Sequence, residues 1–290
     1  MDVTSKLIGF GAVLLLVFGG AVLVGGAIGP DRDGSAAARG HEAETGGDSM
    51  AAHGTDGTGA DPVRGLAVAA GGLRLDLQQT ELRRDRPTEL HFSIVRSDGR
   101  PVRDFEVEHE KRMHLIVVRR DGQGFQHLHP RLGDDGVWRV PLTLPDGGAY
   151  RVFADFNRDG EAQTLAADLA VDGEASYEPL PAPATTAATD DGYEVQLDSD
   201  ALRAGREAEL RFTVTRDGRT IRTQPYLGAG GHLVALREGD LAYLHVHPEA
   251  HGEAVSFMTE LPSEGRYRLY LQFKHEGRVH TAELTQEVAR

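Results

Sequence analysis

The chain has 290 residues, 45 acidic against 31 basic, and a formal net charge of −14. That acidic balance argues against nucleic acid as a partner, because phosphate would be repelled. Cysteine is absent, which excludes disulfides, thiolate metal sites and cysteine nucleophiles, while the length admits two ordinary domains.

Residues 7–29, LIGFGAVLLLVFGGAVLVGGAIG, carry no charge. At about 1.5 Å per residue they are long enough to span a bilayer core of about 30 Å. A secretory signal has an apolar core of only about 7–15 residues, so an uncleaved transmembrane anchor is expected. Lys6 favours a cytoplasmic N-terminus. The reading is a single-pass cell-membrane protein with its C-terminal domains extracytoplasmic. Residues 30–63 are rich in Gly, Ala, Asp and Thr with almost no large apolar side chain. They cannot bury enough surface to offset chain entropy, which predicts a disordered stalk.

Two repeats follow, over 64–171 and 192–290. TELHFSIVRSDGRPV (88–102) aligns with AELRFTVTRDGRTI (208–221), and YRVFADFNRDGEAQT (150–164) with YRLYLQFKHEGRVHT (267–281). Short alternating segments at 8–12-residue intervals, with little helical periodicity, predict an all-β chain. The expected architecture is two tandem immunoglobulin-like β-sandwiches behind the anchor and stalk. The Pro/Ala/Thr-rich stretch 172–191 reads as a semi-stiff linker between them. Trp138 has no tryptophan counterpart in the second repeat. Asp155–Gly160 resembles the start of a calcium loop. The acid expected at its twelfth position is Ala166, so a plain hairpin turn is expected.

The chemistry concentrates in MHLIVVRRDGQGFQHLHP (113–130) and GHLVALREGDLAYLHVHP (231–248). His114 and His127 are 13 residues apart, as are His232 and His245; His114 and His129 are 15 apart, as are His232 and His247. Each copy reads as a hairpin, with Ile116 opposite His127 and His114 opposite His129. Period-two alternation then puts His114, Ile116, Val118, Phe125, His127 and His129 on one face. The second copy puts His232, Val234, Leu236, Tyr243, His245 and His247 on the equivalent face. Neutral imidazole is the commonest side-chain metal ligand, so His114, His127 and His129 form one candidate site, and His232, His245 and His247 another. A copper or zinc ion suits three such donors. Further donors lie near: Glu108, His109, Glu110 and Met113 by the first set, His251 and Met258 by the second. Adjacent positions on a strand face opposite ways, which should turn Met113 away from His114. The same pattern also suits histidines that fill a partly polar sheet face and bond to one another. A structural or protein-interaction module without metal therefore stays open. No G-x-S-x-G, P-loop, dinucleotide fingerprint or HExxH occurs and no general base is identifiable, so the chain reads as no enzyme.

The HL(I/V)-turn-(F/Y)-x-H-x-HP pattern, followed by YR(V/L)(F/Y)xxF, resembles actinobacterial membrane-anchored proteins with YtkA/FixH-like immunoglobulin-like domains. The resemblance covers about 65–288 as two copies. It implies extracytoplasmic sandwiches concerned with metal handling or oxidase assembly, with copper favoured over zinc. The expected partners are the membrane, through the N-terminal segment, and a metal ion; the sequence names no partner protein. The copper-resistance CopC-like sandwich is a more distant likeness. Its histidine at the mature N-terminus has no match here, because an anchor and stalk precede the domains.

Overall fold

Alternation of buried and exposed side chains runs through Tyr193–Asp198 without a break, the burial that period-two geometry imposes on a strand facing a core on one side. The computed structural model describes residues 63–246 and 255–290, with only the backbone described at His245. The expected anchor at 7–29 and the stalk, apart from Val63, lie outside the described residues. Among the described residues every regular element is a strand, and no helix is long and apolar enough to cross a membrane.

The first sandwich comprises β1 (Ala69–Ala70), β2 (Leu73–Leu77), β3 (Glu81–Leu82), β4 (Thr88–Arg96), β5 (His114–Arg119), β6 (Gln126–Leu128), β7 (Arg131–Leu132), β8 (Trp138–Leu142), β9 (Gly148–Arg158) and β10 (Glu161–Val171). The second comprises β11 (Thr186–Ala188), β12 (Tyr193–Asp198), β13 (Glu207–Arg216), β14 (Arg219–Thr220), β15 (His232–Arg237), β16 (Tyr243–Val246), β17 (Val255–Glu260), β18 (Gly265–His275) and β19 (Arg278–Val288). In the first, one sheet is ordered β1-β2-β4-β8-β7 and the other β3-β10-β9-β5-β6. Read as immunoglobulin strands, β2-β4-β8-β7 are A-B-E-D and β10-β9-β5 are G-F-C with β6 beyond C, the arrangement of that fold, and the two-residue strands β1 and β3 add to the other edges. The second sandwich repeats the plan, with β12-β13-β17 in one sheet and β16-β15-β18-β19 in the other. Each β9–β10-type hairpin turns through two residues with positive φ, Asp159-Gly160 and Glu276-Gly277. That is the type I′ geometry that matches strand twist, and the calcium-like stretch is the plain hairpin expected of it.

Each sandwich has its own core. Trp138 stacks on Phe92 in the first, at 6.3 Å between ring centroids. Val255 takes its register position opposite Phe212 in the second. A third cluster joins the two: Ile116 and Val118 of β5, Phe153 of β9 and Ala166 of β10 pack against Val234 and Leu236 of β15, Tyr243 of β16 and Tyr270 of β18. β5 is buried along its whole length because it has a core on each face, Leu115 and Val117 turning inward and Ile116 and Val118 toward the other repeat. Two aromatic stacks bracket this contact, Phe125 on Tyr270 at 4.1 Å and Phe153 on Tyr243 at 5.2 Å. Both sandwiches belong to one compact unit.

Flanking chain seals the contact. Gly65 lies over the Phe153–Tyr243 stack with φ +72, and a Cβ there would come within 2.6 Å of Tyr243 and 2.8 Å of Phe153. Only glycine combines that backbone with that clearance. The stretch expected to be a linker, 172–191, contains β11 and is tied down along its course. The Glu178 N–H donates to Asp121 (2.9 Å), and the Arg266 guanidinium donates to the Leu180 carbonyl (3.4 Å).

Candidate metal centre

Ile116 pairs with His127 in the β5–β6 register, the pairing expected from the hairpin. It fixes the face shared by His114, Ile116 and His127, which is the one turned toward the second repeat. Ring centroids of His114 and His127 are 5.2 Å apart, His114 and His129 5.2 Å, and His127 and His129 4.7 Å. One ring nitrogen from each lies within 4.8 Å of the others. Imidazoles ligating one ion at about 2.0–2.1 Å in a tetrahedron have centroids about 5 Å apart, so the triad stands near ligand spacing.

Hydrogen bonds around the triad set its tautomers. Nε2 of His114 faces the Glu108 carbonyl at 3.3 Å, and a carbonyl only accepts, so Nε2 carries the proton. Nδ1 of His127 faces Gln272 Oε1 at 2.7 Å, while the amide nitrogen of Gln272 donates to Thr281 Oγ1 at 3.3 Å. Nδ1 of His127 is therefore the donor. In the neutral rings this leaves lone pairs on His114 Nδ1 and His127 Nε2, which face each other at 3.0 Å. Two lone pairs at that distance repel unless a cation, a metal ion or one shared proton, lies between them. Engagement of the outer nitrogen by an oxygen acceptor is also the arrangement that orients metal-bound histidines.

His129 contributes a buried Nε2 that meets no hydrogen-bond partner among the described residues. Burial, then the positive fields of His114 and Lys111, push its pKa down to about 3, so it stays neutral at ordinary pH. Met113 points into the core of the first sandwich, as strand alternation requires, and brings no sulfur to the cluster. His109 does approach, its ring 6.3 Å from His114. Asp155 pairs with His114 in register and accepts from Thr164 Oγ1 (2.7 Å) and the Tyr243 hydroxyl (3.3 Å). Burial, then the charge of Asp155, raise the Tyr243 pKa, so that hydroxyl keeps its proton.

The second set is placed only in part. His232 is buried on β15. His245 pairs with Val234 as His127 pairs with Ile116, and His247 and His251 lie outside the described residues. His232 comes to lie beside the first triad, 6.2 Å from His114 and 6.1 Å from His127 between centroids. Met258 is on β17, in the sheet that does not face the first repeat, and is exposed. Gln272 was not among the expected residues. The signal for it is a polar residue within the largely apolar LYLQF stretch (269–273), at the position of Asp155 in VFADF (152–156).

No curated protein matches the sequence. Solved structures with some likeness include the Escherichia coli adhesin FdeC, at 14% identity over 77% of this chain and 66% of that one, with a TM-score of 0.27. Salmonella alpha-2-macroglobulin has 14% identity over 79% of this chain and 15% of that one, with a TM-score of 0.28. A chimeric titin Z1Z2 tandem has 16% identity over 74% and 95%, with a TM-score of 0.20. The chain thus spans 66% of the adhesin chain and 15% of the macroglobulin chain. The sandwich assignment rests on strand order and not on these likenesses. Residues 67–173 and 186–290 each match the family described as "Domain of unknown function (DUF8832)", and the chain belongs to that family with two copies in tandem.

Proposed function

We infer that the tandem repeat is a metal-binding module, with His114, His127 and His129 as ligands to a copper or zinc ion. One observation carries the reading: His114 and His127 each have the outer ring nitrogen committed to an oxygen acceptor, which leaves their lone pairs facing at 3.0 Å. The donor set is nitrogen only, with Met113 turned away, which suits Cu²⁺ or Zn²⁺ better than Cu⁺. Copper is preferred on the YtkA/FixH-like resemblance of the HxHP hairpin. The same resemblance, with the 7–29 segment, supports a single-pass membrane anchor and an extracytoplasmic module for metal handling or oxidase assembly. No catalytic role and no nucleic-acid partner are assigned.

The competing reading is a structural or protein-interaction module in which one proton is shared between His114 and His127. It is favoured by the burial of His114 beside the apolar contact between the sandwiches. Titrating the metal-free full chain with Cu²⁺ and with Zn²⁺ separates the two. Binding at micromolar or lower dissociation constants is expected, and a His127→Ala/His129→Ala double variant should weaken it at least 100-fold. Unchanged metal uptake in that variant, with only its stability altered, would leave the structural reading standing.

A further inference from the structure

We propose that His232 of the second repeat is the fourth ligand to the ion held by His114, His127 and His129, so that one closed four-imidazole centre spans both repeats. The proposal rests on the metal-binding reading of the triad and changes its coordination, its stoichiometry and its consequence for the fold.

His232 opens β15 on the face that packs against the first repeat, two positions before Val234 of the shared cluster. Its ring centroid lies 6.2 Å from that of His114 and 6.1 Å from that of His127. Centroids of four nitrogen-bound imidazoles around one tetrahedral ion are about 5 Å apart, so His232 stands about 1 Å beyond ligand spacing from His114 and from His127. The group of ring nitrogens within 4.8 Å of one another is that of His114, His127 and His129, so ligation by His232 requires its ring to move toward the triad on metal binding.

Two further contacts tie His232 to the same point. Its register partner on β18 is Gln272, whose Oε1 holds the Nδ1 proton of His127. The second repeat therefore already orients one member of the first repeat's triad. From the other side, the turn Glu108–Lys111 is closed by paired backbone hydrogen bonds and has positive φ at both central residues, His109 (46) and Glu110 (64). Non-glycine residues rarely adopt that backbone, and consecutive ones less so. It sets the His109 ring edge-on to His232 at 5.1 Å, while Tyr226 of the second repeat packs on His232 at 5.4 Å. His232 is thus enclosed by His109, His114 and His127 of the first repeat and one ring of its own.

A centre with four protein nitrogens has no open position for water or substrate, which suits retention of a divalent late transition ion rather than hydrolysis. His232 then leaves the set it was expected to form with His245 and His247, and the chain takes one equivalent of metal instead of two. The ion also links β5 and β6 of one sandwich to β15 of the other.

The test is titration of the metal-free full chain with Co²⁺ and with Zn²⁺, in the wild type and in His232→Gln and His127→Gln. One equivalent of Co²⁺ is expected, with the intense visible bands of tetrahedral cobalt. His232→Gln should weaken both ions at least 30-fold and reduce those bands. If His232→Gln keeps wild-type affinity and spectrum while His127→Gln loses both, the triad binds alone and the shared centre is wrong, though the metal reading survives. Two equivalents, of which His232→Gln removes one, also overturn the shared centre. No uptake by the wild type overturns both readings. Should His232→Gln fail to fold, ¹⁵N spectra of the imidazoles in the wild type decide: Zn²⁺ should shift a ring nitrogen of His232 together with those of His114, His127 and His129. A His232 resonance that stays in place refutes the proposal.

Discussion

Replacing Tyr270 with alanine is expected to destabilise the protein by about 3–5 kcal/mol, the usual range for truncating a buried aromatic ring. It should also split a single unfolding transition into two. The Tyr270 ring is fully buried and lies parallel to Phe125 across the repeat boundary, at 4.1 Å and 8°. Its hydroxyl donates to the Gly122 carbonyl at the tip of the first repeat's hairpin. The truncation removes the stack and that bond and leaves a cavity in the cluster that joins the sandwiches. Each sandwich keeps its own core, since Tyr270 belongs to neither. Calorimetry of the full chain checks both halves. A variant that melts within about 1 kcal/mol of wild type in one transition would mean that the shared cluster does not couple the repeats.

The second large effect is expected at Asp121. Arg119 donates to it from Nε (2.9 Å) and Nη2 (2.7 Å), and the two side chains are 8% and 6% exposed. Backbone N–H groups of Gln123 and of Glu178 also donate to the carboxylate. Asp121→Ala leaves a buried guanidinium with Asp146, at 3.9 Å, as its remaining ion partner among the described residues, and should cost about 3 kcal/mol. Burial works against ionisation of Asp121, but Arg119 and then the two backbone donors outweigh it, so its pKa lies below the ordinary carboxylate value. A carboxyl with a lowered folded-state pKa contributes stability that is fully present above its unfolded pKa, about 3.9, and is lost as pH falls through the folded value. Urea midpoints should therefore drop between pH 5 and pH 2 more steeply in the wild type than in Asp121→Asn. Equal slopes would show that this pair does not govern acid sensitivity.

How far these features are legible in the sequence depends on whether local alternation or packing between the repeats decides them. The sandwich plan and the shared face of His114, Ile116 and His127 follow from period two and hairpin register, which a strand carries in its own residues. The cross-repeat contact does not, because nothing local says which outer face meets which. One sign was present: HLIVVR and HLVALR are apolar at successive positions, as strands buried on both faces are. Read that way, Ile116, Val118, Val234 and Leu236 already ask for a second layer. The position of His232 beside the first triad depends on that layer, and so does the reach of Gln272 to His127. The hairpin clamp formed by Arg119 and Asp121 has a counterpart in Arg237 and Asp240. Its buried state also depends on the docked stretch around Glu178, whose order the Pro/Ala/Thr composition does not convey.

The two aromatic stacks have a consequence for how duplicated halves diverge. Phe125 and Tyr243 are equivalent positions, as are Phe153 and Tyr270, so each half gives its hairpin ring to the other's long strand. That is the reciprocal contact of a two-fold symmetric homodimer, built within one polypeptide. In a true homodimer both sides of the axis must carry the same residue. Fusion lifts the constraint: Asp155 and Gln272 are equivalent positions, one accepting from Tyr243 and the other from His127. A carboxylate on one side and an amide on the other is a mutation in one half only. Two identical subunits would have to accept both acids or both amides, whereas this chain can tune the two sides of its axis independently.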